Sequence, residues 1–588
     1  MKLKFLLPLL CGVSLLASAQ QVSPSGGNFV VEKNVVVPMR DGVTLRADLL
    51  RPSGGGAFPV LVYRTPYGKE PALEEYTTFR HAVEHGYAVV VQDVRGRYAS
   101  DGEFRPYENE GRDGYDSIEW AARQPWSNGA VGTFGLSYPG AVQWLAAVEN
   151  PPHLKAMVPA MTFSSAQNFF YAGGLWDMSW IEWIWDNIAP DVRTKRNLPG
   201  PKTPDEAIAA WSQASPKMLN TMPLDQLEEL RGIAPYYYDW LTHPYHDAWW
   251  EWCDLRNKYG RVHAAVLNFS GWYDDNYGPE GASTNFSGLL KTRADAGDPQ
   301  THLLIGPWVH GVASTAKSKS GEREFGPAAA IDYDEVVLRW MDHYLRGSAN
   351  GVEKEKPVRY LVMGDDQWRE ADAWPPASKA VSYYLVNPKS GENHGSLSAE
   401  APGERKAFVS FLSDPEKPVV NSYSSSGAHD YRDLAERRDV LTFDSAAAER
   451  DTEVTGPIHA QIYLACDCRD TDLWVRLLDV APDGTAFNLM SPGLDVLRAS
   501  YRDLKKGRQL LTPDQVYELR LDNLITSNVF RKDHRIRVQV SATFFPNFSR
   551  NLHTGELENS SARMQKANIS IYTDRRRPSR IVLPVVPR

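Results

Sequence analysis

A serine between glycines, in the segment Gly132-Thr-Phe-Gly-Leu-Ser-Tyr-Pro-Gly140, constrains the fold of this chain more than any other feature. The apolar run 130–134 predicts a strand, and residues 138–148 predict a helix. A serine on a tight turn from a strand to a helix projects its hydroxyl above the edge of a sheet, beside a helix N-terminus. The pattern departs from the usual G-x-S-x-G, since Pro139 stands where the second glycine is expected. A plain turn is the alternative interpretation, so the surroundings of the serine must decide.

Strand and helix signals alternate around this serine. Short apolar runs at 59–63, 87–92 and 154–159 predict strands. The stretches 73–84 and 117–123, which lie between them, are helical in pattern. Ahead of them, two β-rich runs flank Arg40-Asp-Gly42, which is a hairpin signal. Strands that alternate with helices of this length predict a mostly parallel sheet with helices on both faces.

The alternation stops in the next hundred or so residues. Residues 163–259 are helical in pattern, punctuated by proline, and hold nine tryptophans. Trp176, Trp180 and Trp183 are spaced so that they would share one helix face. Such an aromatic stripe suits core packing, and it would equally suit the wall of a substrate cleft. We therefore predict a helical cap over an active site, with these three tryptophans as candidate substrate-binding residues.

Strand signals resume after the predicted cap, followed by an amphipathic helix at 332–345. From Lys356 onward short β-runs recur between turn residues, which suits an antiparallel sandwich or jelly roll. The sequence thus predicts an α/β domain interrupted by a helical cap and followed by an all-β jelly-roll sandwich. The predicted boundaries are 28–162 and 260–352 for the α/β domain, 163–259 for the cap and 355–588 for the sandwich.

The first residues have the pattern of a secretory signal peptide. Lys2 and Lys4 precede an apolar stretch at 5–16, and Ala17-Ser-Ala19 offers a small-residue cleavage site. A signal peptide at 1–19 predicts a periplasmic or secreted protein, and no later apolar run approaches the roughly 18 residues that a membrane span needs. Loss of the two lysines changes the net charge from −9 to −11, which argues against a nucleic-acid partner.

The cysteine content argues against a disulfide framework and against a zinc site. After cleavage the chain keeps Cys253, Cys466 and Cys468, an odd count in which the Cys-x-Cys spacing is awkward for a local bridge. Three cysteines without clustered histidines also make a poor zinc site. We predict structural thiols, no metal and no cofactor. Whether the chain forms a homo-oligomer is left open.

An aspartate and a histidine each follow one of the later predicted strands: Asp274 and His310. A serine hydroxyl becomes a good nucleophile only when a base takes its proton, and the base needs an acid to fix its tautomer. In sheet hydrolases the three groups follow one another along the chain in the order serine, acid, histidine. We therefore predict a catalytic triad of Ser137, Asp274 and His310, with Asp275 as the alternative acid.

The tetrahedral intermediate of acyl transfer carries an oxyanion that needs two hydrogen-bond donors. The backbone N–H of Tyr138, which follows the serine, is one predicted donor. The other should come from the loop 64–69, either from a backbone N–H or from the Tyr67 hydroxyl. The sequence does not choose between these two.

Several motifs of this chain resemble those of one enzyme family. They are Arg64-Thr-Pro-Tyr67, Gln92-Asp-Val-Arg-Gly96, Ala99-Ser-Asp-Gly-Glu-Phe104, Gly135-Leu-Ser-Tyr-Pro-Gly140, Gly271-Trp-Tyr-Asp274, Gly306-Pro-Trp-Val-His310, Ser527-Asn-Val-Phe530 and Phe545-Pro-Asn-Phe-Ser-Arg550. On these motifs the chain resembles the cocaine-esterase and X-prolyl dipeptidyl-peptidase family of α/β-hydrolases, which also contains α-amino-acid ester hydrolases and the glutaryl and cephalosporin acylases. The Gly-x-Ser-Tyr-x-Gly form of the serine turn is distinctive of this family.

The resemblance implies an α/β-hydrolase domain with an inserted helical cap and a C-terminal jelly-roll domain. Carried onto this chain, it makes Ser137 the nucleophile, Asp274 the orienting acid and His310 the base. Tyr67 then matches the family tyrosine whose hydroxyl donates to the oxyanion, beside the N–H of Tyr138. The implied activity is hydrolysis of an ester or amide bond in a small molecule, as by an esterase or a dipeptidyl peptidase.

The substrate is less constrained than the chemistry. The α-amino-acid ester hydrolases bind the substrate ammonium with carboxylates placed where this chain has Asn276 and Tyr277. Burying an ammonium group without a partner in a closed pocket would cost free energy. We therefore expect the cap to bind an apolar or aromatic acyl group. Asp275, Asp177 or Glu182 could supply a rearranged partner, which keeps amino-acid ester hydrolysis or acylase activity as an alternative. A further alternative, of another class, is a non-catalytic protein that binds carbohydrate or a surface ligand.

Overall fold

The structure, a computed structural model, describes residues 21–22, 29–293, 300–388 and 394–587. The predicted signal peptide at 1–19 lies outside these described residues. Within them, no helix combines the length and the apolar character that crossing a bilayer requires.

The first part of the described chain alternates strands and helices. Its strands are β1 (Gln21–Val22), β2 (Phe29–Pro38), β3 (Thr44–Pro52), β4 (Phe58–Thr65), β5 (Ala88–Asp93), β6 (Ser127–Leu136), β7 (Leu154–Ala160), β8 (Tyr171–Ala172), β9 (Leu175–Trp176), β10 (Ala265–Tyr273), β11 (Thr301–Val309), β12 (Lys319–Ser320), β13 (Arg323–Glu324), β14 (Val358–Val362) and β15 (Gln367–Ala371). Its helices are α1 (Lys69–Glu75), α2 (Thr78–Glu84), α3 (Glu110–Ala122), α4 (Tyr138–Ala147), α5 (Ala166–Phe169), α6 (Ser179–Trp183), α7 (Ala189–Arg196), α8 (Pro204–Asn220), α9 (Pro235–Thr242), α10 (Gly278–Arg293), α11 (Val312–Thr315) and α12 (Tyr333–Arg346).

Eleven of these strands form one mixed sheet, in the order β1-β2-β3-β5-β4-β6-β7-β10-β11-β14-β15. The central strands from β5 to β14 run parallel, and the strands at both edges are antiparallel. Every residue of β5 and of β10 is buried, as expected where helices cover both faces of a parallel sheet. Because parallel strands end at the same edge, the loops after β4, β6, β10 and β11 are brought together.

The strand β4 shows how the two faces are filled. Val60 and Val62 point into a core that includes α3 and α4, whereas Leu61 and Tyr63 point into a second core that includes α2 and α12. This alternation follows from the two-residue period of a strand. The predicted sheet with helices on both faces is confirmed.

The chain between β7 and β10 leaves the sheet and forms the cap. It contains the helices α5 to α9, the small hairpin β8-β9 and several short 3-10 turns. Apart from α8, these helices are eight residues long or shorter. Helices that short are not stable alone, so side-chain packing must hold them in place.

The C-terminal part is an all-β sandwich. Its strands are β16 (Lys379–Val386), β17 (His394–Ser398), β18 (Phe408–Ser413), β19 (Leu441–Asp444), β20 (Thr452–Cys466), β21 (Asp472–Val480), β22 (Ala486–Asn488), β23 (Val496–Arg498), β24 (Tyr517–Phe530), β25 (Arg535–Ser541), β26 (Ala567–Asp574), β27 (Arg577–Pro578) and β28 (Arg580–Val585). Their pairings are antiparallel except for the parallel pair of β17 and β19. The predicted fold class, an α/β domain followed by a β-sandwich, is confirmed.

The prediction that all three cysteines are free thiols is wrong. Cys466 and Cys468 form a disulfide, whereas Cys253 is buried and free. Cys466 ends β20, and the chain turns directly after it, so the two Cα atoms come to 5.2 Å, within the usual range for a bridge. The spacing is therefore feasible where a strand ends, which spacing alone did not reveal.

Candidate active site

Ser137 occupies the turn between β6 and α4 with an unusual backbone. Its φ of 67° lies in the region that L-residues rarely adopt, and its N–H donates to the Ala160 carbonyl at 3.0 Å. A Cβ at Gly135 would lie 2.5 Å from the Cβ of Pro139, and one at Gly140 would lie 2.5 Å from the Ala160 oxygen. Both glycines are therefore required by close approach, and the serine side chain stays partly exposed at the sheet edge.

The residue after the serine is fixed by its side chain. The buried Tyr138 hydroxyl donates to Glu110 at 2.8 Å and accepts the N–H of Tyr107 at 3.1 Å. Arg64 pairs with the same Glu110 at 2.8 Å, so the carboxylate is not left uncompensated. Burial raises the pKa of Tyr138 well above its usual value, so its hydroxyl remains a neutral donor. This anchor fixes the first turn of α4, whose N–H groups have no partner within the helix.

Tyr67 faces the serine from the loop after β4. Its hydroxyl accepts the indole N–H of Trp183 at 3.0 Å and lies near the Ser137 side chain. Its backbone N–H donates to Thr65 at 3.1 Å. Since the backbone donor is already occupied, the geometry at this residue favours the hydroxyl as the group available to an oxyanion. Burial raises the pKa of Tyr67, which keeps the hydroxyl protonated.

Asp274 and His310 meet at the ends of β10 and β11. Asp274 Oδ1 lies 2.6 Å from His310 Nδ1, and the Asp274 side chain is fully buried. Ser270 and the N–H of Asp275 donate to the same carboxylate at 2.9 and 2.8 Å. A Cβ at Gly278 would lie 1.7 Å from Asp274 Oδ2, so glycine is required beside the acid. These donors aim the carboxylate at the imidazole. Burial raises the pKa of Asp274, and His310 and Ser270 oppose that rise.

Asp275 is a weaker partner of the same imidazole. Its Oδ2 lies 3.7 Å from His310 Nδ1, its side chain is 39% exposed, and it accepts the Tyr277 hydroxyl at 3.1 Å. Between the two predicted acids, the distances and burial favour Asp274. Burial alone would lower the pKa of His310, but the two carboxylates outweigh it and raise the pKa above the ordinary 6.5.

The serine and histidine turns both contact the end of β7, at its last residue Ala160 and the following Met161. The Ala160 carbonyl accepts the Ser137 N–H, and the Met161 sulfur accepts the N–H of Gly311 at 3.4 Å. These two contacts hold Ser137, and His310 just before Gly311, at one edge of the sheet. Because Asp274 uses Nδ1 of the imidazole, Nε2 is the nitrogen left for the serine.

One group of side chains in the described ranges has the composition of a metal site: Asp274, Asp275 and His310, with ligand atoms within 4.8 Å of one another. Both oxygens of Asp274 already accept hydrogen bonds from protein donors. The group therefore has the arrangement of a hydrogen-bonded acid–base pair, and we assign no metal to it.

The three tryptophans predicted to line the cleft have three different positions. Trp183 contacts Tyr67, and its ring is parallel to that of Tyr138 at 6.2 Å. Trp180 is 6% exposed, and its indole donates to the Phe169 carbonyl at 3.2 Å, inside the aromatic core of the cap. The prediction that all three share one helix face is wrong, because Trp176 lies in β9 and α6 begins only at residue 179.

Trp176 contacts the sandwich instead of the serine. Its N–H donates to the Ser549 hydroxyl at 3.0 Å, and its carbonyl accepts the N–H of Ser549 at 2.9 Å. Asp177 continues this pairing with a bridge to Phe548. Trp176 is 2% exposed and belongs to the seam between cap and sandwich.

The acids considered as rearranged ammonium partners also lie near this site. Asp177 is 4% exposed and accepts the N–H of Ser179 at 2.9 Å. Burial, opposed by Ser179 and aided by the charge of Asp275, raises the pKa of Asp177 to about 7. Glu182 also lies within electrostatic reach of Asp275. Both acids belong to the cap and are within electrostatic reach of Asp275.

Sequence reasoning missed the supports of the site: the buried pair of Arg64 and Glu110, and Ser270 behind Asp274. A signal was available for the first, since an arginine at the end of an apolar strand needs a buried partner. For Ser270 no local signal exists, because a serine within a strand has many uses.

Comparisons with known proteins agree with this architecture. Residues 41–312 match the family model of X-Pro dipeptidyl-peptidase (S15 family), and residues 350–582 match that of the X-Pro dipeptidyl-peptidase C-terminal non-catalytic domain. The chain is 33% identical to the cocaine esterase of Rhodococcus sp. (strain MB1 Bresler) over 588 aligned residues, which cover 96% of this chain and 100% of that protein.

Two solved structures share the fold over nearly the whole chain. An aminopeptidase from the marine sediment archaeon Thaumarchaeota archaeon has a TM-score of 0.80 at 22% identity, covering 98% of this chain and 100% of that one. An α-amino acid ester hydrolase has a TM-score of 0.80 at 23% identity, covering 97% of this chain and 99% of that one. At these identities the likeness concerns the fold alone.

Proposed function

Because the chain belongs to the cocaine-esterase and X-Pro dipeptidyl-peptidase family of α/β-hydrolases, we propose that it hydrolyses an ester or a small amide bond through an acyl-enzyme on Ser137. As a member of this family it is a serine hydrolase, so the alternative of a non-catalytic binding protein is wrong.

In this mechanism His310 Nε2 takes the proton of the Ser137 hydroxyl as its oxygen attacks the acyl carbon. Asp274 accepts Nδ1–H and stabilises the imidazolium that forms. The carbonyl oxygen becomes an oxyanion, and the Tyr67 hydroxyl and the Tyr138 N–H donate to it. The imidazolium then gives its proton to the leaving alcohol or amine. A water, deprotonated by the same imidazole, attacks the acyl-enzyme and releases the acid and free Ser137.

The observation that carries this proposal is the 2.6 Å contact between buried Asp274 and His310, at the sheet edge where the strained Ser137 turn lies. A carboxylate and an imidazole in contact are common in proteins. Their position after β10 and β11, joined to the serine turn through Ala160–Met161, supports the assignment of a nucleophile with its base and acid.

We propose that the substrate is a small molecule with an apolar or aromatic acyl group. Trp183 is half-buried beside the serine turn, and the Tyr277 ring lies 6.1 Å from the His310 ring. These aromatic faces on two sides of the reacting groups would remove apolar surface of the acyl group from water.

The test is a hydrolysis panel on wild type and Ser137→Ala. It compares p-nitrophenyl acyl esters, aryl amides and Ala-Pro-p-nitroanilide, with a fluorophosphonate probe to report the nucleophile. We expect ester turnover and probe labelling by wild type only. Turnover of Ala-Pro-p-nitroanilide alone would replace the esterase assignment by a dipeptidyl peptidase. Labelling of Ser137→Ala at the wild-type rate would contradict the mechanism.

A second candidate function is hydrolysis of esters of amine-bearing acids, and one observation favours it. Burial, with a smaller contribution from the charge of Asp275, raises the pKa of Asp177 to about 7. An ammonium group placed near both carboxylates would stabilise their charged forms. The matched pair of phenylglycine methyl ester and methyl phenylacetate differs only in the amine. Preference for the first, lost in Asp177→Asn, would support this candidate, whereas equal turnover would exclude it.

We also propose that the protein is exported to the periplasm or beyond, on the pattern of residues 1–19. Fractionation of cells that express the full chain should place the activity outside the cytosol, and N-terminal sequencing should begin at Gln20. Activity that stays in the cytosol with Met1 or Lys2 retained would contradict this proposal.

A further inference from the structure

The hydrogen bond between Trp183 and Tyr67 has a fixed direction. An indole N–H can only donate, whereas a phenol can either donate or accept. At the 3.0 Å contact, therefore, the Tyr67 oxygen is the acceptor, and its own proton must point elsewhere. The nucleophile Ser137 is a polar side chain near this hydroxyl.

We infer that Trp183 is a positioning residue that holds the Tyr67 proton toward the reacting carbonyl, so that the cap completes the oxyanion site. The inference rests on the proposed function, because it needs Tyr67 as an oxyanion donor. A donor with a fixed direction needs no reorientation when charge develops on the carbonyl oxygen. Donation into the phenol oxygen also polarises its O–H bond, because hydrogen bonds in a chain strengthen one another.

Two neighbouring aromatic rings hold the Trp183 indole in place. Its ring lies parallel to that of Tyr138, with 7° between the planes, and it meets the Trp180 ring edge-on at 5.2 Å. Trp183 is the last residue of α6, and a π-helical turn, Ile184–Ile188, follows it directly. The position of the indole therefore depends on how this turn is anchored.

Arg97 anchors that turn to the loop that carries Tyr67. Its fully buried guanidinium donates to the carbonyl of Pro66 at 2.8 Å, and to the carbonyls of Asn187 and Ile188 at 2.9 and 3.0 Å. One cation thus fixes the residue before Tyr67 and the turn after Trp183 at the same time. The distance between phenol and indole is set from both sides, as a positioning contact requires.

A wall of the substrate cleft and a positioning residue lead to different kinetics. If Trp183 only contacted the acyl group, its loss would raise KM and would matter little for a substrate with a small acyl group. If it orients Tyr67, its loss lowers kcat for every substrate, because the oxyanion forms in each reaction. Acetyl esters separate the two cases.

The experiment measures kcat and KM for p-nitrophenyl acetate in Trp183→Phe, Tyr67→Phe and the double variant. The control is Trp250→Phe, because Trp250 also lies in the cap and its indole donates to the His243 carbonyl, also at 3.0 Å, outside the π-helical turn that follows Trp183. We expect Trp183→Phe to lower kcat about tenfold with KM unchanged within twofold, and Tyr67→Phe to lower kcat about 100- to 1,000-fold. Trp250→Phe should leave both constants unchanged.

The double variant decides the matter. We expect it to be no slower than Tyr67→Phe alone, since the indole acts through the phenol. Independent, multiplying effects would overturn the inference while leaving Tyr67 as an oxyanion donor, and so would a rise in KM alone. If Tyr67→Phe itself left kcat unchanged, the inference would fall together with the oxyanion role of Tyr67. Failure of the nucleophile would appear separately, as activity of Ser137→Ala.

Discussion

The serine turn and the helical cap contribute to one candidate site but are built in opposite ways. The turn is set by the backbone: Ser137 has a positive φ, and a Cβ at either neighbouring glycine would clash with nearby atoms. The cap is set by side chains: α5 and α6 have four and five residues, and dense aromatic contacts such as Phe170 with Trp180 at 4.8 Å hold them. The same chain thus uses local constraint for the reacting atoms and tertiary packing for their surroundings.

This difference indicates what each region can tolerate. A turn fixed by its own backbone keeps its shape when one side chain is removed, so loss of the serine should remove activity and leave stability nearly intact. A region fixed by packing loses stability when a large ring is removed, wherever that ring lies. Substitutions in the two regions should therefore have different effects on activity and stability. The expected effects range from losses of many orders of magnitude in rate to small shifts in pH dependence.

The largest effect is expected at the serine turn. Ser137→Ala should lower kcat by about 10⁵-fold or more, because the nucleophile is lost, while the melting temperature stays close to that of wild type. Ser137→Gly should be equally inactive yet more stable than Ser137→Ala by about 1 kcal/mol, since glycine adopts a positive φ without strain. Ester hydrolysis and chemical unfolding check both. Equal stability of the two variants would show that the turn is not strained.

The next effect separates the two adjacent acids. Asp274→Asn should lower kcat by about 10⁴-fold, because an amide cannot hold the imidazole in the tautomer that accepts the serine proton. Asp275→Asn should lower it less than tenfold at alkaline pH, since that carboxylate is 3.7 Å from Nδ1 and partly exposed. The measurement is kcat/KM on one ester for the two variants. A larger loss of kcat/KM in Asp275→Asn than in Asp274→Asn would make Asp275 the acid that orients His310.

A third substitution tests the cap as a packed region. Trp176→Ala should lower the free energy of unfolding by about 3–5 kcal/mol, because a fully buried ring at the seam with the sandwich leaves a cavity. Its KM should stay within twofold of wild type well below the melting temperature. Trp183→Ala is the matched comparison in the same region, with a smaller loss of stability and a larger loss of activity. A rise in KM for Trp176→Ala would indicate that Trp176 lines the substrate cleft after all.

The same contrast explains which predictions from the sequence succeed. The strand before Ser137, the helix after it and the strands before Asp274 and His310 follow from local patterns of apolar residues and glycines, and their ends meet because parallel strands do so. The positions of Trp176, Trp180 and Trp183 depend on contacts with distant parts of the chain. Helical spacing described them wrongly, because the stretch from 176 to 183 is a strand end, a turn and a short helix. The disulfide was missed for a different reason: Cys466 and Cys468 are only two residues apart, and a local bend after β20 brings their Cα atoms to 5.2 Å.

The smallest expected effect concerns pH and would sharpen the contrast between the acids. The neutral imidazole acts as the base, so kcat/KM should rise with pH, half-maximally at the pKa of His310, and this pKa is raised above 6.5 by both carboxylates. Asp275→Asn removes one of those charges, so the midpoint should move to lower pH by about one unit, as a charge about 4 Å away in a mostly aqueous setting would give. The shift should shrink in 1 M salt, because Asp275 is partly exposed whereas Asp274 is buried. An unchanged midpoint in Asp275→Asn would mean that Asp274 alone raises the pKa of the His310 imidazole and that Asp275 does not contribute.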